Sequence, residues 1–387
     1  MTTLLLVAGD VSGDHHAADF VRAFKRLRPG TRFVGMGGAA MEGAGVEVTV
    51  PQRALAVGGF FGLGSSAGSI FRAWREMSAT LSTRRPDLVV LVDSGGFNIP
   101  FAGRVKRVSN APVLYYVTPQ VWAWRSGRIR RLARRVDRLA VLFPFERDFY
   151  ARSGVRVDCV GHPLVDRLES QGPKASKDEA RRELGLDVNG PLIALLPGSR
   201  RNEIRQHLSL QLAAADRILK QVPDAKFVVA LAPSLDRHRV ESLITSHPNS
   251  DRLAIAIVED RAWSILGCAD AALLKPGTAT LEAALLGCPM VVMGRVGRLT
   301  AAILRRNLKI AHLALPNLVL DDSLVPELLQ ADAQPERIAA ELLPLLSGPA
   351  RDRQLKGFDR VRCQLGDPGA SSRAARIAEA MVVDREA

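Results

Sequence analysis

The chain has 387 residues, long for a single hydrophobic core, and this length predicts two domains. Hydrophobic residues at 47% and charged residues at 24% are ordinary globular composition and exclude disorder as the default. Lys and Arg number 53 against 40 Asp and Glu, and the resulting +13 favours anionic partners (nucleic acid, phosphorylated metabolites or an anionic membrane face) without choosing among them.

The opening Met1-Thr-Thr-Leu-Leu-Leu-Val-Ala8 has no basic n-region, and Gly9-Asp10 cuts its apolar run short. It reads as a first strand, Thr3–Ala8, and not as a signal peptide. Val7-Ala-Gly-Asp-Val-Ser-Gly-Asp14 follows as a tight turn into a helix expected over Asp14–Leu27. Gly9 and Gly13 permit close backbone approach, and a helix N-terminus favours an anion or a sugar hydroxyl. The spacing is not G-x-G-x-x-G, which speaks against a dinucleotide oxidoreductase. Ser12 and Asp14 are equally open as helix caps or as ligand contacts. Adjacent helical residues point apart, so His15 and His16 do not share a metal, and no metal or other cofactor is expected.

Further strands are expected at Arg32–Met36, Asp87–Asp93, Pro112–Val117, Arg138–Phe143 and Val155–Val160, with a helix over Ile70–Arg84. Leu88-Val-Val-Leu-Val92 is the continuous apolar run of a strand buried on both faces, and the alternating order predicts a doubly wound parallel sheet. Asp93 ends that run. A carboxylate at the C-terminal end of a buried strand suits a general base, although an Asp that caps the following turn is the commoner reason for one. From Arg125 to Arg138 there are seven arginines, with Ile129, Leu132 and Val136 at helical spacing. With Trp122 and Trp124 nearby, this predicts a basic amphipathic helix suited to a membrane surface or a phosphorylated acceptor; a solvated basic face is the commoner case. His162 in Gly161-His-Pro is a minor candidate.

The polar stretch Ser170–Asn189 marks the expected domain crossing. The rhythm then restarts, with strands expected at Leu192–Leu196, Lys226–Leu231, Ala254–Val258, Ala271–Leu274 and Pro289–Met293 and helices at Asn202–Gln221 and Ala279–Leu286. In Leu196-Pro-Gly198-Ser199-Arg200, backbone N–H groups could hold phosphate oxygens and the Arg200 guanidinium a diphosphate. Lys275-Pro-Gly277-Thr278-Ala279-Thr280-Leu-Glu282 repeats the strand–glycine–helix pattern. Glu282, expected in the first turn, could accept a ribose diol or simply complement the helix dipole. Asn317 and Glu327 could contact a sugar. The four cysteines, Cys159, Cys268, Cys288 and Cys363, show no zinc spacing and read as reduced thiols of a cytosolic protein. No apolar run reaches the ~20 residues that span a bilayer, so membrane contact is expected to be peripheral.

In this order the motifs resemble those of the lipid-A-disaccharide synthase family. The matching pieces are the Val7–Asp14 turn, Leu55-Ala-Val57, Asp93 with Phe97-Asn98, Val121-Trp-Ala-Trp-Arg125, Leu142-Phe-Pro-Phe-Glu146 and Gly161-His-Pro. They continue with Leu195-Leu-Pro-Gly-Ser-Arg200, Gly277-Thr-Ala-Thr-Leu-Glu282, Leu315-Pro-Asn-Leu and Pro326-Glu-Leu-Leu-Gln330.

The resemblance implies two Rossmann-like domains facing a cleft, the GT-B glycosyltransferase architecture. The acceptor-side domain would span 1–170 and the UDP-sugar domain 171–350, with helices over 351–387 packing back on the first domain. It implies a metal-independent, inverting hexosyltransferase that joins UDP-2,3-diacylglucosamine to 2,3-diacylglucosamine 1-phosphate. The products would be the β-1,6 lipid A disaccharide 1-phosphate and UDP, made peripherally on the inner face of the cytoplasmic membrane by a homodimer. Asp93 would be the base on the acceptor 6-hydroxyl. Arg200 with Gly198 and Ser199 would hold the diphosphate, Thr278, Thr280 and Glu282 would line the nucleotide site, and Asn317 would lie at the cleft.

Departures from the family pattern are Asp10 for Glu, Gly96 for a second acid, Tyr115-Tyr116 for His-Tyr, a glycine- and serine-rich Gly58–Ser69, and Lys275-Pro276 for Ala-Ser. The last places an extra cation near the nucleotide. The rivals are another nucleotide-sugar enzyme of this fold, such as a UDP-sugar epimerase or a peptidoglycan-type transferase, and a basic nucleic-acid-binding protein. The last leaves the glycine turns of the second half unexplained, so no nucleic-acid partner is expected.

Overall fold

The computed structural model describes residues 1–56, 67–119, 129–173, 175–233, 235–297, 301 and 310–386. Val57, most of Gly58–Ser69 and the Val121–Arg125 motif with Trp122 and Trp124 lie outside the described residues. The chain forms two compact units, Met1–Asp166 with Leu365–Ala387, and Arg167–Gln364.

The first unit begins with β1 (Thr3–Ala8), α1 (Val11–Leu27), β2 (Arg32–Gly37), α2 (Ala39–Gly43), β3 (Glu47–Pro51), α3 (Arg53–Ala56) and α4 (Ala67–Arg84). It continues through β4 (Leu88–Val92), α5 (Gly95–Val108), β5 (Val113–Tyr116), α6 (Ile129–Ala133), β6 (Arg138–Val141), α7 (Pro144–Ala151) and β7 (Arg156–Cys159). Among the described residues, seven parallel strands run in the order β3-β2-β1-β4-β5-β6-β7. Leu4 to Ala8 and Leu88 to Val92 are fully buried because helices cover both faces, which is why these strands read as unbroken apolar runs. The strand order reverses between β1 and β4, where Leu5 pairs with Val89, and in open sheets ligands bind beyond the carboxyl ends of strands at such a reversal.

The chain leaves this unit within α8 (Pro163–Gln171). The second unit holds α9 (Lys177–Glu183), β8 (Leu192–Leu196), α10 (Arg201–Leu219), β9 (Lys226–Leu231), α11 (Arg237–Thr245), β10 (Ile255–Glu259) and α12 (Ala262–Cys268). Then come β11 (Ala271–Leu274), α13 (Thr278–Leu285), β12 (Met290–Gly294), α14 (Leu315–Leu320), β13 (Glu327–Leu329), α15 (Pro335–Leu342) and α16 (Pro349–Leu365). Its parallel order β10-β9-β8-β11-β12-β13 reverses between β8 and β11. Ile193 and Leu195 pack in one core with Leu208, Ile218 and Ile338. Leu192, Ala194 and Leu196 pack in the other with Ile265, Leu266 and Phe358, as period-2 alternation requires. Buried Arg181 of α9 donates to the Cys268 carbonyl at 3.1 and 3.0 Å, to the Gly190 carbonyl at 3.3 Å and to Asp270 Oδ2 at 2.7 Å. It ties α9 to the amino ends of β8 and β11.

The final helix, α17 (Ala370–Glu386), packs on α1. The Asp166 carboxylate accepts the N–H groups of Gly369, Ala370 and Ser371 that open it, and Arg373 Nε donates to the Val160 carbonyl at 2.8 Å. No helix among the described residues is long and apolar enough to cross a membrane.

Three local expectations change. Helix α1 starts at Val11, so the turn before it is shorter than expected. β3 and β13 are additional edge strands that do not stand out in the sequence, β3 because polar residues break its apolar run and β13 because it has only three residues. The long basic helix over Arg125–Arg138 is, among the described residues, the five-residue α6. Leu132 and Val136 are core, Arg135 donates to the Ile99 carbonyl at 3.1 Å, and Arg138 opens β6 in a two-bond pair with Asp158 at 2.6 and 3.0 Å.

Candidate active site

Each unit gathers its candidate residues at the strand-order reversal, and each set is built separately. In the first unit, Asp93 and Ser94 follow β4 with φ of +48° and +43°. Two successive non-glycine residues in the left-handed region cost roughly 1–3 kcal/mol each and persist only when their surroundings hold them. Those surroundings are specific. The amide of fully buried Asn98 donates to the carbonyls of Val7 (3.1 Å), Val92 (3.0 Å) and Asp93 (3.0 Å), and the Tyr115 hydroxyl also donates to the Asp93 carbonyl. Asp93 N–H donates to the Val117 carbonyl at 3.0 Å.

The β1 turn lies against this one. A Cβ on Gly9 would stand 2.6 Å from Ser94 Oγ, so only glycine lets the two turns touch. Ser94 Oγ donates to Asp10 Oδ2 at 3.1 Å, and Asp10 Oδ1 accepts Gly13 N–H at 2.7 Å. Burial above all, and then the negative charge of Asp10, pushes the Asp93 carboxyl up to about 7, against the pull of the Ser94 N–H. A carboxyl that titrates near neutrality can take a proton from an alcohol and return it.

Beside this pair sit two imidazoles. His16 is pushed down to about 4 by burial despite Asp10, and His162 to about 3 by burial and by His16. Their rings meet edge to face at 6.3 Å. Exposed Ser12 lies with its Oγ 3.3 Å from His16 Nε2. The Leu164 N–H donates to His162 Nδ1 at 3.2 Å, which leaves the ring proton of the neutral form on Nε2.

The cap of α1 is Asp10, not Ser12 or Asp14. Asp14 is buried and reaches another element: its carboxylate accepts the N–H groups of Gly38 (2.7 Å), Ala40 (3.0 Å) and Met41 (3.2 Å) at the start of α2. Asp14→Ala orphans those donors, so a loss of about 2 kcal/mol or more in urea unfolding is expected. A variant that lost activity with unchanged stability would instead make Asp14 a ligand contact.

In the second unit, β8 ends in Pro197, Gly198 (φ +125°), Ser199 and Arg200, and α10 follows. The Glu203 carboxylate folds back over the turn, and its Oε2 accepts the Ser199 and Arg200 N–H groups at 3.2 and 3.3 Å. The φ of +125° requires glycine at this position, and a Cβ there would also stand 2.9 Å from Glu203 Cβ. Buried His207 fixes the turn from behind, with Nδ1 2.9 Å from the Pro197 carbonyl and Nε2 3.0 Å from that of Arg295.

From the neighbouring β11, Lys275, Pro276 and Gly277 lead into α13, which begins at exposed Thr278, followed by half-buried Ala279. Glu282 therefore sits one turn into the helix and not in its first turn. It lies 3.6 Å from Arg167, whose guanidinium stacks 4.4 Å from the Trp263 ring centroid. Burial pushes the Glu282 carboxyl up, and Arg167 pulls it back.

Thr280, Asn317 and Glu327 form one internal network. Thr280 Oγ1 donates to the Gly277 carbonyl (2.8 Å) and accepts Leu315 N–H (3.2 Å). The Asn317 amide exchanges two 2.8 Å bonds with the Val325 backbone and donates to Glu327 at 2.9 Å. Glu327 also accepts Leu313 and Ala314 N–H. Their polar groups brace the segment around α14 against α13 and β13. Among the described residues, no group of three His, Cys, Asp or Glu gathers to hold a metal.

The residues that sequence reasoning passed over are Asp10 as a partner of Asp93, Glu203 and the His16–His162 contact. Glu203 carried a signal: it stands three residues after the helix cap Arg200, the position from which an acid reaches back to the cap. The other two depend on which strand ends become neighbours.

Residues 4–381 match the family model described as lipid-A-disaccharide synthetase. A lipid-A-disaccharide synthase of Anaeromyxobacter sp. (strain K) is 41% identical, over 96% of this chain and 95% of its own length. That of Geobacter sulfurreducens is 40% identical, over 97% and 96%. Among solved structures, UDP-GlcNAc 2-epimerase from Neisseria meningitidis bound to UDP-GlcNAc superposes with TM-score 0.65 at 12% identity, covering 99% of this chain and 100% of that one. Acinetobacter baumannii MurG superposes with TM-score 0.57 at 15% identity, covering 98% and 99%. At such identities these two show the fold alone, the two-Rossmann-domain plan of GT-B glycosyltransferases.

Proposed function

The chain belongs to the lipid-A-disaccharide synthetase family and is a glycosyltransferase, and from that premise we propose that it joins UDP-2,3-diacylglucosamine to 2,3-diacylglucosamine 1-phosphate with inversion at the anomeric carbon. The observation that carries this reading is the Asp93 carboxyl, set on a strained turn at a strand end and pushed up to about 7. In the proposed reaction Asp93 takes the proton of the acceptor 6-hydroxyl. That oxygen forms a bond to the donor's anomeric carbon as the bond from that carbon to the diphosphate oxygen breaks. UDP leaves with the electron pair, and attack opposite the leaving group converts an α-linked donor to a β-1,6 product.

The first unit supplies the acceptor chemistry in this reading. The second supplies the donor site, with Gly198, Ser199 and Arg200 for the diphosphate and Gly277, Thr278 and Ala279 at the opening of α13. Glu282 is assigned to the ribose hydroxyls, while Thr280, Asn317 and Glu327 hold the donor-side loops in place. Developing charge on a diphosphate is best met by donors already aimed at it, and removing one such donor typically costs about 10²–10³-fold in rate. Work at an anionic membrane face is supported by the +13 charge and by exposed Phe71 beside exposed Arg72 and Arg75 on α4. Salt-sensitive co-sedimentation with anionic vesicles checks it, and binding equal to that of neutral vesicles would contradict it. A homodimer is proposed from family membership.

The function is tested by UDP release from UDP-2,3-diacylglucosamine with and without acceptor. Release that requires acceptor, and falls about 10²-fold or more in Arg200→Ala, is expected. A change of the donor sugar without acceptor and without UDP release would favour an epimerase and overturn the transferase reading.

A further inference from the structure

The two glycine turns of the second unit are bridged by a cation and already hold an anion. Lys275 leaves the end of β11 and lays its stem over the β8 turn, where a Cβ on Gly198 would stand 3.1 Å from its Cδ. Its ammonium comes to rest 3.4 Å from Glu203 Oε1 and 3.2 Å from the Pro276 carbonyl. A Cβ on Gly277 would lie 3.7 Å from the same nitrogen. The ammonium therefore sits beside both glycine turns.

Glu203 completes the arrangement. An acid at this position in a capping box needs only the N–H of the cap residue. This one accepts two backbone N–H groups, from Ser199 and Arg200, and pairs with two cations, Lys275 and the Arg200 guanidinium at 3.7 Å. Two successive N–H groups, two cations and a helix N-terminus are the donor set of an anion site. Here the anion is the protein's own carboxylate.

We propose that Lys275 is a ligand of the donor's diphosphate, and that Glu203 occupies the anion site until the diphosphate displaces it. A nucleoside diphosphate carries more negative charge than one carboxylate and spreads its oxygens wider, so it can take the N–H groups and both cations together. The Glu203 side chain needs only to rotate away from the turn while its backbone stays in α10. The role of Lys275 rests on reading this unit as the nucleotide-diphosphate half.

Isothermal titration of the full-length protein with UDP, uridine and inorganic diphosphate tests it on wild type, Lys275→Ala and Glu203→Gln, with thermal unfolding as the control for folding. A charge-assisted contact is lost in Lys275→Ala, so UDP should bind about tenfold more weakly while uridine is unaffected. Glu203→Gln removes the competing charge, so UDP and diphosphate should bind more tightly even though the helix cap is weakened. Unchanged UDP affinity in Lys275→Ala overturns the assignment of Lys275. Weaker UDP binding in Glu203→Gln makes Glu203 a structural cap and overturns the displacement. If wild type binds diphosphate with this variant pattern but discriminates nothing between UDP and diphosphate, the anion site stands and the UDP-sugar reading falls. Binding of neither probe to folded wild type overturns both.

Discussion

Asp93→Asn is expected to lower kcat/KM for disaccharide formation by about 10²–10⁴-fold, the usual range for loss of a positioned general base. The fold should survive, because the turn is held by Asn98, Tyr115 and the Val117 carbonyl, which all contact the Asp93 backbone. In wild type the base must be ionised, so kcat/KM should rise with pH through about 7, the value to which burial and Asp10 push the carboxyl.

The raised pKa also fixes a stability signature. The folded-state value lies above the ordinary 3.8, so the fold favours the protonated carboxyl. That contribution is fully present below about pH 4 and is lost as the pH rises through about 7. A tenfold change in a protonation equilibrium is worth about 1.4 kcal/mol, so ionising Asp93 costs wild type a few kcal/mol above neutrality. Asparagine mimics the neutral form and does not titrate. The variant should therefore match wild type in thermal unfolding near pH 4 and exceed it by several degrees at pH 8. Activity that survives the substitution within tenfold would remove Asp93 as base. A thermal gap independent of pH would mean that the carboxyl keeps its ordinary acidity.

The second large effect is on stability alone. Arg181→Met leaves the Cys268 and Gly190 carbonyls without this donor and Asp270 without one of its two cations. Burial works against the charge on Asp270, but the Leu192 N–H, Lys177 and Arg181 outweigh it and hold that carboxyl below its ordinary range. Breaking a buried pair by removing one partner typically costs about 3–5 kcal/mol. A fall of roughly 10 °C in the unfolding of the second unit is expected by calorimetry. A fall of a degree or two would show that water or Lys177 replaces the guanidinium.

These two residues mark the line between what could be read from the chain and what could not. The central strands were legible because burial on both faces leaves an unbroken apolar run: Thr3–Ala8, Leu192–Leu196, Lys226–Leu231 and Ala271–Leu274 have the bounds that the sequence predicts. The edge strands Glu47–Pro51 and Glu327–Leu329 carry no such run, since among the described residues one side of each meets no partner strand. The turns at Gly9, Gly198 and Gly277 were legible because strand, glycine and helix follow within a few residues.

What each polar side chain does at those turns was not legible, because its partner lies on another element. Asp14 caps a helix that starts 25 residues later, and Asp10 reaches the Asp93–Ser94 turn only because β1 and β4 are neighbours. Lys275 meets Glu203 only because β11 lies beside β8. Nothing beside Arg181 in the sequence marks it as buried, because the groups that take its N–H bonds lie at Gly190, Cys268 and Asp270. The basic run before Arg138 read as one amphipathic helix from its arginines and apolar spacing, whereas Leu132 and Val136 lie in the core and Arg138 opens the strand expected there.

The most direct measurement is the anomeric configuration and linkage, by NMR, of the product formed from UDP-2,3-diacylglucosamine and 2,3-diacylglucosamine 1-phosphate. A β-1,6 disaccharide, accompanied by one UDP per linkage and formed about 10²-fold or more slowly with Asp93→Asn, is the predicted result. An α-linked disaccharide would contradict a single displacement assisted by one base. Recovery of a rearranged donor sugar with no disaccharide would contradict the transferase itself.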